Sequence, residues 1–137
     1  MSFKLFGTTA DVGVESAGKD LKEAFEEQAA GMFSIMTDLE AVEPRLSFDV
    51  EATGNDLESL LVAWLNELLF IYDVKKVFLR SFEIKSFEEG RLKAGVRGEE
   101  IDPARHPLKT EVKAVTYHML DVRQSDGGYV TRVVYDI

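Results

Sequence analysis

The sequence predicts an α+β fold in which two helices lie on a mixed or antiparallel sheet. One strand-helix-strand-strand unit is inserted in a second such unit. Three observations carry this reading. The stretch from Asn55 to Val74, NDLESLLVAWLNELLFIYDV, is too apolar for a helix on a surface and must be wrapped on most of its circumference. Just before it, Leu46, Phe48, Val50 and Ala52 alternate with Ser47, Asp49 and Glu51, the period of a half-buried strand. The chain then closes in a β-hairpin that completes a scheme begun by its first strand and helix.

Taken in order, Phe3 to Glu15 reads as extended, with Gly7 and Gly13 marking bends or bulges. Gly18 breaks the strand. Asp20 caps a helix, with Glu23 at the capping-box distance. Leu21, Ala24, Phe25, Gln28, Ala29, Met32 and Met36 form its apolar-facing stripe, while Lys19, Lys22, Glu23, Glu26 and Glu27 face outward. Pro44 ends this segment and the strand of Leu46 to Ala52 follows. The core helix starts at Asn55, a capping residue with Glu58 three positions on. Its interruption by Asn55, Asp56, Glu58, Asn66, Glu67 and Asp73 excludes a membrane span despite a suitable length.

Val74 to Phe87 is β-rich but irregular, and Glu88-Glu89-Gly90 turns the chain into a strand with Leu92, Ala94 and Val96 on one face. Glu99 to Leu108 holds Pro103 and Pro107 and has no period, so it reads as a loop. Val112, Ala114, Thr116, His118, Leu120 and Val122 share a strand face. Gln124 to Gly128 makes the turn, and Tyr129 to Ile137 forms a final strand.

Composition narrows the function classes. With 137 residues the chain fits one domain spanning 1–137. Cysteine is absent, which excludes thiolate chemistry and permits a cytoplasmic location. The N-terminal MSFKLFGTTADVGVE lacks the features of a signal peptide. Sixteen basic residues face 25 acidic ones, for a formal charge of −9. Such a surface repels phosphate backbones, so strong direct nucleic-acid binding is not expected.

The chemistry-bearing residues are few. His106, in the proline loop, reads as a solvated histidine, and His118 as a semi-buried structural one on its strand face. No nucleophile elbow, phosphate-cradling loop or H-E-x-x-H spacing is present. Two acids stand out. Asp11 interrupts an apolar extended stretch, and Asp136 ends the last strand beside the α-carboxylate of Ile137. If the first and last strands pair, three carboxylates converge. Like charges that close raise each other's pKa unless a cation neutralises them, and hard oxygen donors suit calcium or magnesium. The alternative is two exposed acids near strand ends.

At these residues the chain resembles the archease family. The resemblance rests on Thr9-Ala10-Asp11-Val12-Gly13, Ala24-Phe25-Glu26, Leu60-Leu61 and Trp64-Leu65-Asn66-Glu67-Leu68-Leu69. It continues through Gly98-Glu99, Glu111-Val112-Lys113-Ala114-Val115-Thr116-Tyr117-His118 and Asp136-Ile137. It implies a protein cofactor, rather than an enzyme, for the GTP-dependent RNA ligase of tRNA splicing and RNA repair. That role is to promote guanylylation of the ligase and its multiple turnover. It also implies a divalent-metal site at Asp11, Asp136 and the carboxylate of Ile137. The sequence departs from the family at Thr8, where the family usually has histidine. Glu99 and Lys113 match family positions, without a role evident from their chemistry. Two other classes compete with this reading. One is a stand-alone metal-dependent phosphoester hydrolase using the same carboxylates; the other is a small-ligand-binding module beside the core helix.

Overall fold

The computed structural model describes residues 2–7 and 11–137. Eight strands and two α-helices follow one another as β1 (Ser2–Gly7), β2 (Asp11–Gly18), α1 (Leu21–Met36), β3 (Leu46–Thr53), α2 (Leu57–Lys75), β4 (Val77–Glu88), β5 (Arg91–Glu100), β6 (Ala114–Val115), β7 (Asp121–Ser125) and β8 (Gly128–Asp136). They form two antiparallel sheets. In the first, β1, β2, β8 and β6 lie in that order and β7 also pairs with β8; the second has the order β3, β5, β4. The nested scheme read from the sequence is therefore literal. The inner unit, β3-α2-β4-β5, supplies one whole sheet, and the outer unit supplies the other.

α1 packs on β1, β2 and β8 of its own sheet and also reaches β4, while α2 lies chiefly on β3 and β4. Between them sits the core: Phe25, Met32 and Phe33 of α1 with Leu60, Leu61, Trp64, Leu65 and Leu68 of α2, all buried. Trp64 buries its ring and donates its indole N–H to the Phe25 carbonyl at 3.0 Å, which satisfies its one polar atom. Among the described residues no helix is long and apolar enough to cross a membrane.

Several local readings need correction. The extended N-terminal stretch is two strands, β1 and β2, paired from Ser2 opposite Ala17 to Gly7 opposite Val12. Strand β2 runs on through Gly18 instead of stopping before it. Of the flagged glycines, Gly13 has a packing reason: a Cβ there would overlap the ring of Phe6 on β1. The α1 cap is as expected, with Glu23 N–H donating to Asp20 Oδ1 at 2.9 Å and Glu23 Oε1 accepting from Lys19 N–H. The α2 cap is Asp56, not Asn55; its carboxylate accepts from Ser59 N–H at 2.7 Å. An ionised oxygen one position later makes the stronger cap.

Glu26 does not simply face outward. Its carboxylate accepts the Ile84 N–H of β4 at 2.7 Å, satisfying a backbone donor on the edge strand of the second sheet. Burial, opposed by that hydrogen bond, leaves its pKa raised.

The largest difference lies in the final hairpin. Residues from Val112 to Val122 do not form one strand. Thr116 N–H bonds the Val134 carbonyl and Asp121 lies opposite Arg132, so four residues, 117–120, stand opposite Val133 alone. They are extruded as a bulge in which Met119 adopts φ 56°. His118 is consequently exposed and lies in a turn. The alternation of apolar residues continues through the bulge, so the pattern alone does not reveal it. The hairpin turn itself is two residues, Asp126 and Gly127, both at positive φ, as a type I′ turn requires.

Candidate functional site

β2 and β8 pair along their whole length, from Gly18 opposite Tyr129 to Asp11 opposite Asp136. Directly opposed residues point to the same face of a sheet. Val12, Val14 and Ser16 share the inner face with Tyr135, Val133 and Thr131, beneath α1. Asp11, Gly13 and Glu15 share the outer face with Asp136, Val134 and Arg132.

That outer face is written in rungs. Glu15 lies between Lys4 of β1, at 3.7 Å, and Arg132 of β8, at 3.1 Å, with Asp121 of β7 opposite Arg132. This rung alternates in charge. The Gly13–Val134 rung is apolar under the Phe6 ring. The last rung sets Asp11 against Asp136, at the end of the sheet and one residue before Ile137. Asp136 is also held on its other side: its carbonyl accepts Lys113 N–H at 2.8 Å, and Ala114 of β6 is its register partner. Ile137 is half-buried and packs against the core.

The strand pairing on which that convergence was conditioned is present, with Asp11 opposite Asp136 in register. Thr8, where the sequence departs from its family resemblance, lies outside the described residues. Among the described residues no group of three His, Cys, Asp or Glu side chains is close enough to hold an ion. Any ion at this rung has two side-chain carboxylates and one backbone terminus to call on. Such donors are all hard oxygens, which fit calcium or magnesium with water completing the shell.

A second carboxylate site was not legible from the sequence. Glu99, near the end of β5, is buried, and Oε1 accepts from Glu43 N–H at 2.9 Å, from His106 Nε2 at 2.7 Å and from Arg105. Arg45 Nε stands 3.4 Å from Oε2. Burial pushes the Glu99 pKa up, but the Glu43 amide, His106 and Arg105 outweigh it and hold the carboxyl down at about 2. His106 is therefore no solvated loop histidine. It is 1 % exposed, and its Nδ1 accepts Asp102 N–H at 2.9 Å, which places its proton on Nε2, facing Glu99. Its ring also packs edge-on against Phe78.

This clasp closes the proline loop, which then runs beneath the end of α1. Lys109 N–H and Thr110 N–H donate to the Met36 and Ile35 carbonyls, and Lys113 arrives at Asp136. The chain thus runs from the Glu99 clasp to the acidic rung along backbone hydrogen bonds. The one trace of the clasp in the sequence is a spacing too common to read alone, Glu99 followed at six and seven residues by Arg105-His106. The side chain of Lys113 is exposed.

Two nested α+β units, each with its own antiparallel sheet, define the class of fold. The whole chain has been seen in relatives. Residues 3–137 match the model of the Archease protein family (MTH1598/TM1083). The chain is 38% identical over 136 residues to protein archease of Sulfolobus acidocaldarius, covering 98% of each. It is 42% identical over 133 residues to that of Pyrococcus abyssi, covering 94% of each. The solution structure of Methanobacterium thermoautotrophicum protein 1598 shares 40% identity with a TM-score of 0.84, over 98% of both chains. A Thermotoga maritima crystal structure, described as an archease and possible chaperone, has a TM-score of 0.66 at 20% identity, covering 98% of this chain and 96% of its own; it bears on the fold alone. The chain belongs to the archease family.

Proposed function

We propose that this protein is a cofactor of a GTP-dependent RNA ligase, binding the ligase, promoting its guanylylation and sustaining its multiple turnover in tRNA splicing or RNA repair. The observation that carries this reading is the last rung of the first sheet, with Asp11 opposite Asp136 and Ile137 beside it. Like charges directly opposed across two strands destabilise a sheet. A calcium or magnesium ion between them offsets that repulsion, and its remaining coordination positions are open to water or to a group from the partner.

Family membership and the charge of −9 support a protein partner over RNA itself. In this reading the cation makes the acidic rung a ligand-sharing contact on the ligase. The chain's own residues orient it: Asp11 and Asp136 through the β2–β8 register, Ile137 through its packing on the core.

The test is a ligation time course with the cognate ligase, GTP and broken RNA, run with ligase in excess and with RNA in excess. Added protein is expected to raise the number of turnovers, and the Asp11→Asn and Asp136→Asn variants are expected not to. Ligation indifferent to the protein, or equal stimulation by both variants, would sink the proposal. A steep salt dependence of tight RNA binding by the protein alone would also count against it.

A further inference from the structure

We infer that Gln28 is a positioning residue for the acidic rung, a lock that holds β2 and β8 in the one register that sets Asp136 opposite Asp11. The inference rests on the cation reading above only for its calcium readout.

Gln28 is fully buried on α1, and every polar atom of its amide is used on the two strands of the rung. Nε2 donates to the Val14 carbonyl of β2 at 3.1 Å and to Thr131 Oγ1 of β8 at 2.8 Å. Oε1 accepts from the Tyr135 hydroxyl of β8 at 2.7 Å. Ser16 of β2 donates to the Ala24 carbonyl of α1 at 2.8 Å, and so accepts from Thr131, 2.5 Å away. The proton order is therefore fixed from end to end: Tyr135 to Gln28, Gln28 to Thr131, Thr131 to Ser16, Ser16 to Ala24.

An apolar interface tolerates sliding; a buried chain of directed hydrogen bonds does not, because each displaced group is left unpaired. The register matters because a slip by one residue sends every side chain of a strand to the opposite face. Such a slip would take Asp136 away from Asp11 and carry Tyr135, its immediate neighbour, away from Gln28. One contact cannot be kept without the other.

The experiment uses the full chain with calcium chloride as the probe. Gln28→Met keeps the length and removes the amide; Tyr135→Phe removes one oxygen. Val96→Ala, in the core of the other sheet, is a control for general destabilisation. Calcium affinity by calorimetry is expected to fall about tenfold or more in Gln28→Met, and less in Tyr135→Phe, as for residues that orient metal ligands. The Val96→Ala affinity is expected to hold. The cross-strand Hα contact between Asp11 and Asp136 by NMR should weaken in Gln28→Met only. Wild-type affinity in both Gln28→Met and Tyr135→Phe, with that contact intact, would overturn the inference. A wild-type protein that binds no calcium sinks the cation reading instead, and the NMR contact alone then decides the register lock.

Discussion

Two carboxylate sites of this molecule solve opposite problems. At the clasp, one buried acid is surrounded by donors: Glu99 receives a backbone N–H, an imidazole N–H and a guanidinium, with a second guanidinium near. At the rung, one acid is set opposite another across neighbouring strands. The clasp is complete within the chain and its chemistry is structural, since it closes the proline loop and leads it to Asp136. The rung sets like charges opposite each other at the end of a sheet, a pairing that by itself destabilises a sheet. The lesson lies in placement: a buried acid saturated with protein donors is part of the scaffold, whereas the facing acids at the strand end are the residues to which the proposed function assigns a cation.

The largest expected effect falls on the clasp. Glu99→Gln removes the charge: its amide oxygen keeps the donors on the Oε1 side but loses the ionic part of the Arg105 contact, and its NH2 group meets the Arg45 guanidinium, donor against donor. The loss should be roughly 3 kcal/mol of stability, read by urea unfolding at neutral pH. Acid should show the same effect in the wild type. The Glu99 carboxyl sits at about 2 in the folded protein against an ordinary 4.5. Its contribution is thus fully present above pH 4.5 and is lost as pH falls toward 2. The Glu99→Gln variant should lack that part of the acid-dependent loss. If wild type and variant lose stability in parallel over this interval, the clasp is weaker than its geometry.

The rung should behave in the reverse sense. Asp136→Asn removes one of two facing charges, so the metal-free protein should be as stable or up to about 1 kcal/mol more stable. With calcium at a hundredfold excess over its dissociation constant the wild type should gain about 2.7 kcal/mol, and the variant much less. Thermal melts with and without calcium make the comparison. A variant that is less stable without calcium and equally stabilised by it would erase the difference between the two sites. Extending the chain beyond Ile137 replaces a carboxylate with an amide and crowds the ion. It should weaken calcium binding, whereas an extension before Met1 should not; equal affinities in both would make the terminal carboxylate a bystander.

Much of this was legible because burial writes itself into the sequence. The Asn55–Val74 run became α2 and the alternation of Leu46–Ala52 became β3, since each pattern matches one period and one buried face. Asp11 and Asp136 were legible as acids where strand propensity disfavours them. Their opposition was not, because register depends on pairing between positions 125 residues apart, fixed in part by Gln28 and Tyr135. His106 was misread because a proline loop looks solvated from its composition, while its Nδ1 and Nε2 partners come from a backbone N–H and from Glu99. The bulge at 117–120 escaped because its apolar residues keep a strand's period while leaving its ladder.

The smallest effect separates the clasp's own members. Arg45 and Arg105 both approach Glu99, but the Arg45 side chain is 64% exposed, lies 3.4 Å from Oε2 and is shared with Glu43 at 3.8 Å. Exposed pairs of this kind exchange one hydrated partner for another and give up side-chain freedom, so Arg45→Met should cost no more than about 0.5 kcal/mol. Salt should matter as little, because what holds Glu99 ionised is the Glu43 amide, His106 and Arg105, all on Oε1. Arg105→Met removes one of these and should cost more, about 1–2 kcal/mol. Urea unfolding of the two variants at low and high salt gives the ranking. Should Arg45→Met cost as much as Arg105→Met, Oε2 would carry as much of the clasp as Oε1. Glu99 would then be held from both sides, and the loop it closes would depend on a solvent-facing guanidinium as well as on the buried imidazole.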